Sequence, residues 1–301
     1  MQIAKRKKLL FALLAVPCIS AVALAQGVHY SFKSAGNFPG ANYTVPFGLN
    51  ATQIVGYYSA PGVLNSYVKT GRSFSQVVPF NAITSYLFAI NRNGLAVGGY
   101  CVPGCGPYTG EHAYTYDSAT GVVTSIDFPG ATSTTGYGIN DSAQIVGGYC
   151  TTSVTCPEGL NPTDHGFLDD NGVFTTLDFP GAQSTEAVGI NNAGVIVGFY
   201  DINLTGPHSF IYQNGTYTTI DFPGANYTSA TAINNHGIVA GLFQDKNGIL
   251  HGFLYSNGRF TQIDVPRARD TGLSGINDSD DLVGLVYPVI GTQPFLGIPS
   301  R

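Results

Sequence analysis

Four histidines and four aspartates recur in this chain at nearly constant spacing. His165 and Asp178, His208 and Asp221, and His251 and Asp264 each stand 13 residues apart, and His112 and Asp127 stand 15 apart. An imidazole beside a carboxylate suits general acid–base work or the orientation of a metal-bound histidine. A reacting constellation is normally unique in a chain, whereas this one returns unit after unit, so the repetition argues for structural clasps. Residues that break the repeat are better candidates for chemistry. Glu186 occupies a place held elsewhere by Thr135, Ser229 or Ser85, and Arg267, Arg269 and Asp270 replace a loop that other units write as Pro-Gly-Ala. Glu111, Glu158, Asp164, Asp201 and Asp245 lie in or beside the longest connections. Carboxylates among them, with Glu186, Asp201 and Asp245 foremost, could pair for glycoside chemistry, against the plainer reading of solvated loop charges. Tyr108 and Tyr227, together with Tyr58, Tyr67 and Tyr287, stand near the same loops, where a ring either stacks on a sugar or packs between sheets.

The elements that must position these groups are short strands. Residues 165–169 and 173–179 are rich in aromatic and β-branched side chains and flank Asn171-Gly172, the dipeptide of a type I′ hairpin. Pro180-Gly181 ends the second strand; a third strand follows at 187–190, a polar turn at 191–194 and a fourth strand at 195–200. The Asn closing the third strand recurs as Asn50, Asn91, Asn140, Asn191, Asn234 and Asn277, at spacings of 41, 49, 51, 43 and 43 residues. Six copies of four strands at that period predict an all-β fold, a six-bladed β-propeller with four-stranded antiparallel blades. The recurring Asn residues are expected to cap their own turns.

A two-residue turn fixes cross-strand partners, so counting outward from Asn171-Gly172, Asn214-Gly215 and Asn257-Gly258 sets each His opposite its Asp, about 5 Å apart at Cβ. In the first unit the count puts Val77 at the Asp place and Leu64 or Asn65 at the His place. In the last unit Gln293 takes the His place and no fourth strand follows. The segment leading to Phe38-Pro39-Gly40 reads as that missing strand, which would oppose Gln293 to Asn37 and close the ring with the N-terminal strand.

Residues 1–25 read as a secretory signal peptide, with Lys5, Arg6, Lys7 and Lys8, an apolar run, and an Ala23-Leu24-Ala25 exit cleaved after Ala25. Residues 26–301 then form one propeller domain, secreted or periplasmic and expected to be monomeric. Losing the leader removes four of 13 cations and none of 18 acids, so the mature net charge is 9 − 18 = −9. That balance leaves no basic stripe for nucleic acid, and no further segment is apolar enough to span a membrane. Cys101 and Cys105, and Cys150 and Cys156, follow matching Gly-Gly-Tyr triplets in neighbouring units. Export favours disulfides, 101–105 and 150–156 being the simplest of three connectivities. A zinc site is the sharper alternative, but its only nearby histidines are already explained by the repeat; neither metal nor cofactor is expected.

Gly-Ile-Asn-x-x-Gly-x-Ile-Val-Gly at 189–198 alternates with His-Gly-Phe-Leu-Tyr and Asn-Gly at 251–258, and His112-Ala113-Tyr114, His165-Gly166-Phe167 and His208-Ser209-Phe210 vary the same triplet. In these motifs nearly the whole mature chain resembles the extracellular HAF-type repeat proteins of bacteria. The resemblance implies export and a propeller-like repeat fold, and it carries over no catalytic residue because the group has no settled activity. The longest and most variable connections all leave one face, where binding on a rigid scaffold resides. The expected function is therefore a non-catalytic module that binds an envelope or extracellular carbohydrate or protein. A carbohydrate-active hydrolase or lyase with carboxylates at the channel mouth is the alternative, and a purely structural surface protein is the third.

Overall fold

A computed structural model of the chain describes residues 22–25, 28–105, 110–151, 164–202, 206–287 and 292–300. Apart from one short 3-10 turn, Pro79–Asn81, the regular elements are strands. They form five hydrogen-bonded sheets: three with four strands, one with five and one with eight. The eight-stranded sheet is two four-stranded groups joined by a single parallel bridge, Leu64 to Thr84. Strands within every group pair antiparallel.

The first unit is Tyr43–Leu49, Gln53–Ala60, Val63–Thr70 and Ser73–Val77. The second is Thr84–Ile90, Leu95–Cys101, His112–Asp117 and Val123–Ile126. The third is Ser133–Ile139, Ile145–Cys150, His165–Asp170 and Val173–Leu177. The fourth is Ser184–Ile190, Ile196–Asp201, His208–Gln213 and Thr216–Thr219. The fifth is Tyr227–Ile233, Val239–Gln244, Leu250–Ser256 and Arg259–Ile263. The sixth combines Asp270–Ile276, Leu282–Tyr287 and Gln293–Ser300 with the N-terminal Val28–Ser34, which pairs antiparallel with Gln293–Ser300. Val22–Ala25 pairs outside Val28–Ser34. These four residues belong to the segment expected to be cleaved, and the sixth unit keeps four strands without them.

Turn chemistry sets the outer hairpins. Asn171-Gly172, Asn214-Gly215 and Asn257-Gly258 all take positive φ at both positions, as a type I′ turn demands. The resulting register pairs Gly166 with Leu177 and Gly252 with Ile263, so the preceding His and following Asp face each other. The first strand of each unit, which lies innermost, carries one register shift against the second, leaving Phe47, Phe88, Tyr137, Val188, Thr231 and Ser274 as the extra residues. Opposite each bulge, the second strand has a glycine for a steric reason. A Cβ at Gly147 would collide with the Thr135 carbonyl and one at Gly198 with the Glu186 carbonyl.

The core between units is built from rings. One large aromatic of the third strand is fully buried in each of five units, Tyr67, Tyr114, Phe167, Phe210 and Phe253, each contributing on the order of 2–3 kcal/mol by leaving water. Above it, the Phe of the Pro-Gly loop stacks flat on a second-strand ring: Phe38 on Tyr58, Phe128 on Tyr149, Phe179 on Tyr200 and Phe222 on Phe243, with centroids 3.6–3.7 Å apart. Tyr58 and Tyr67 are therefore core residues and not loop-borne stacking rings.

Two register assignments made from the sequence slip by one residue. In the first unit Val77 pairs with Ser66, which places Val78 and Asn65 at the Asp and His positions. At the sixth unit Ser34 pairs with Phe295 and the Ala35 N–H donates to the Pro294 carbonyl, which puts Gly36, not Asn37, across from Gln293. Gly36 absorbs one extra residue there at φ 84°, a conformation available to glycine without strain.

Candidate functional site

The six units surround an axial channel whose two ends differ. At one end, Asn50, Asn91, Asn140, Asn191, Asn234 and Asn277 form a relay. Each side-chain Nδ2 donates to the backbone carbonyl of the next Asn at 3.0–3.3 Å, and Asn277 donates to Asn50. Each Oδ1 meanwhile caps its own turn, as Asn191 does with the Ala193 and Val195 N–H groups at 3.0 Å. The turn capping is readable from sequence; the bond to the neighbouring unit is not, because its partner lies 41–51 residues away in five cases and 227 away for Asn277. A second relay uses the following residue. Asp141, Asn192, Asn235 and Asp278 side chains accept from the N–H groups of Arg92, Asp141, Asn192 and Asn235 respectively. It stops at Ala51, which has no acceptor.

Toward the other end the bulged residues line the channel, and they do not repeat: Phe47, Phe88 and Tyr137 in three consecutive units, then Val188, Thr231 and Ser274. A β-bulge re-aims the extra side chain, and here it supplies the channel wall. Phe47 lies 4.8 Å from Phe88, and Phe88 lies 5.0 Å from Tyr137. Behind them Tyr57 meets Tyr86 at 5.1 Å and Tyr43 at 6.2 Å. Tyr43 and Tyr287 at this rim are 40% and 39% exposed. The departure from alternation at each bulge is why a period-two reading missed these rings. An alignment column three residues before each Asn would have found Phe47, Phe88 and Tyr137.

Glu186 sits beside this wall. Its cross-strand partner is Phe199, and the equivalent places are Thr135, Ser229 and Tyr86, so Ser85 is one residue out of register. The Glu186 stem packs over Gly148, and the Glu111 carboxylate fills the space over Gly99, a Cβ there being impossible without moving it. Both glycines stand where other units carry Tyr57, Phe199, Leu242 or Leu285. Glu186 is only 8% exposed. Burial pushes its carboxyl up to about 8, the Asp164 and Glu111 carboxylates add to the rise, and a Tyr137 hydrogen bond opposes it. Asp164 is buried, its backbone carbonyl accepting from Thr185 N–H at 3.1 Å. The structure thus joins Glu186 to Asp164, Glu111 and Tyr137.

The other sequence candidates lie apart from that cluster. Asp201 is fully buried, and its Oδ2 accepts from Gly206 N–H at 3.1 Å. Asp245 accepts from the Ile249 and Asn247 N–H groups at 2.8 Å, which hold its carboxyl below the usual range. Asp270 accepts from Leu250 N–H at 3.0 Å and lies 3.8 Å from Arg269 Nε. Arg267 takes φ 70° where other units have the glycine of Pro-Gly-Ala. Tyr227 and Tyr287 are raised chiefly by burial, with the Asp270 charge adding to both. Tyr108 and Cys156 lie outside the described residues, whereas Cys101 and Cys105 are bonded to each other. Cys150 Sγ lies 2.8 Å from Asp164 Oδ1.

In the His–Asp pairs, His112, His165, His208 and His251 Nδ1 lie 2.9, 3.0, 2.7 and 2.9 Å from Asp127, Asp178, Asp221 and Asp264. Each imidazole also lies against a second-strand ring, such as Tyr149 beside His165 at 5.2 Å. Among the described residues, no group of three or more His, Cys, Asp or Glu is arranged to hold a metal ion.

No known family's sequence pattern matches the chain, and no curated protein does. Solved structures do. The β-propeller domain of the Trilobed protease from Pyrococcus furiosus superposes with a TM-score of 0.56 at 12% identity, over 93% of this chain and 94% of that one. The fold is a β-propeller. The Pyrococcus horikoshii acylaminoacyl peptidase matches with a TM-score of 0.54 at 14% identity, over 93% of this chain and 52% of that one. The fucose-specific lectin from Aleuria aurantia gives 0.51 at 12%, over 87% and 96%. At such identities the likeness concerns the propeller scaffold alone. No helix among the described residues is long and apolar enough to cross a membrane.

Proposed function

We propose that this chain is a six-bladed propeller of the HAF repeat kind, exported with cleavage after Ala25 and closed by the N-terminal strand in its last blade. It acts as a non-catalytic binding module for an extracellular carbohydrate or protein held at the channel mouth. One observation carries this reading: the bulge position occurs six times, yet only three consecutive blades fill it with rings, beside the one blade that carries Glu186. A scaffold needs no such asymmetry, whereas a ligand site does. That a lectin shares the scaffold is compatible with binding but assigns no sugar.

A second reading has its own support. A carboxyl raised to about 8 beside a second carboxylate resembles the general acid of a carbohydrate-active hydrolase or lyase. The two are separated by presenting purified mature protein to a glycan array while assaying polysaccharide digestion. Binding without product, abolished by Tyr86→Leu, supports the module. Product formation abolished by Glu186→Gln would overturn it in favour of the enzyme.

A further inference from the structure

We infer that the asparagine end of the channel is a second binding site, which takes an aliphatic monocarboxylate. The alkyl group enters a cup on the axis, and the carboxylate accepts from the N–H groups of Ala51 and Asp278 beside Arg92. This site lies at the end of the channel opposite the mouth, so it does not depend on what the mouth binds.

The cup is the first ground. A cavity of about 130 Å³ opens on the axis at this end. One aliphatic side chain from each unit, Leu49, Ile90, Ile139, Ile190, Ile233 and Ile276, lines both this cavity and the channel beyond it, and so forms the floor between them. The six relay asparagines make the wall, and the residue after each of them makes the rim. An apolar floor under a few placed polar groups is the usual form of a small-ligand site, and this volume suits one branched aliphatic group. Water held over such a floor is displaced by an alkyl group with a gain in affinity.

The broken rim relay is the second ground. Around the rim each side chain accepts from the N–H of its counterpart in the preceding unit: Asp141 from Arg92, Asn192 from Asp141, Asn235 from Asn192 and Asp278 from Asn235, at 2.7–2.9 Å. Two consecutive links are missing. Ala51 has no polar side-chain atom to receive the Asp278 N–H, and Arg92, a donor only, cannot receive the Ala51 N–H. Among the described residues neither N–H has another acceptor. A carboxylate supplies two acceptor oxygens, the number the gap lacks. The exposed Arg92 guanidinium stands next to the gap, one of its nitrogens bonded to Asp141 at 2.8 Å. Charge then limits the ligand to a single negative group. The rim carries one cation, Arg92, against two carboxylates, Asp141 and Asp278. Asp141 is paired with Arg92, and both Asp278 oxygens accept from Asn235, toward the fifth unit and away from the gap. A monoanion meets donors there, whereas a phosphate dianion meets doubled repulsion from Asp278.

The test is amide NMR of the mature protein titrated with isovalerate, acetate, inorganic phosphate, and N-acetyl-Ala-Ala-Leu as its free acid and as its amide. Isovalerate or the free-acid peptide is expected to shift the Ala51 and Asp278 amide resonances saturably, and whichever binds identifies the source as a small acid or a chain terminus. Acetate, which leaves the cup unfilled, is expected to bind at least about tenfold more weakly than isovalerate. The amidated peptide is expected to bind at least about tenfold more weakly than its free acid, and phosphate not to compete. Ala51→Asn, which gives the Asp278 N–H its missing acceptor, and Arg92→Met, which removes the cation, are each expected to weaken binding about tenfold or more. An amide spectrum unchanged away from the rim verifies that each variant is folded. Amide and acid peptides binding alike, competition by phosphate, or binding indifferent to both folded variants would overturn the carboxylate site. So would the absence of a saturable shift with either carboxylate at about 20 mM.

Discussion

The two ends of the channel are made by the same six strands, yet one end repeats and the other does not. At the asparagine end every unit contributes the same residue, and each amide makes bonds within its turn and to the next unit. At the mouth the equivalent backbone holds Phe, Phe, Tyr, Val, Thr and Ser at the bulge. Strict repetition accompanies hydrogen bonds between neighbouring units, where any departure leaves a buried amide or carbonyl unpaired. Variation accompanies the bulged side chains that line the channel, rings in three units, with Thr231 and Ser274 hydroxyls bonded instead to the Leu273 and Pro46 carbonyls of the next unit. The difference separates scaffold from site without reference to any relative.

The sharpest way to break the comparison is at the relay. Asn191→Ala removes a buried amide, its bond to the Asn234 carbonyl and two turn caps, and should cost about 3 kcal/mol by denaturant titration. A change below about 1 kcal/mol would mean the relay is not what ties neighbouring units together.

Glu186→Gln probes the other end. Its carboxyl rises from 4.5 unfolded to about 8 folded, so the folded chain holds a proton that the unfolded chain releases. Stability from this group is full below about pH 4.5 and is lost as pH climbs to about 8. Glu186→Gln should remove that slope, raising stability by about 2–3 kcal/mol at pH 8.5 and little at pH 4.5, read from melts across pH. A parallel pair of pH curves would sink the assignment.

Gly99→Leu comes next. Its side chain must displace the Glu111 carboxylate, at a cost of roughly 1–3 kcal/mol, whereas the same change at exposed Gly121 meets open space and costs only its φ of 76°. The smallest effect is expected at the clasps. His165→Gln should change stability by about 0.5 kcal/mol, since the His and Asp side chains are 37% and 48% exposed. A clasp loss that exceeded the relay loss would reverse the ranking of the two regions.

Much of this architecture is legible in residues close in the chain. Asn-Gly dipeptides fix three hairpins, and the period of the recurring Asn counts the units. Legibility fails where one residue is added or neighbours are distant. Gly36 inserts a residue before Phe38 and shifts Gln293 off Asn37. Counting along the sequence aligns Ser85 with Glu186, but the ladder puts Tyr86 there. The bulges at Phe47, Phe88 and Tyr137 carry side chains out of strict alternation.

From its own letters the chain determines strand length, turn type and local pairing, because these depend on backbone preferences and contacts within about twenty residues. Only the packing of one unit on the next decides that Glu186 meets Gly148 and that three rings face one channel. Those contacts join residues some forty to fifty positions apart, and their energies come from exclusion of water and crowding between sheets, which no single strand contains.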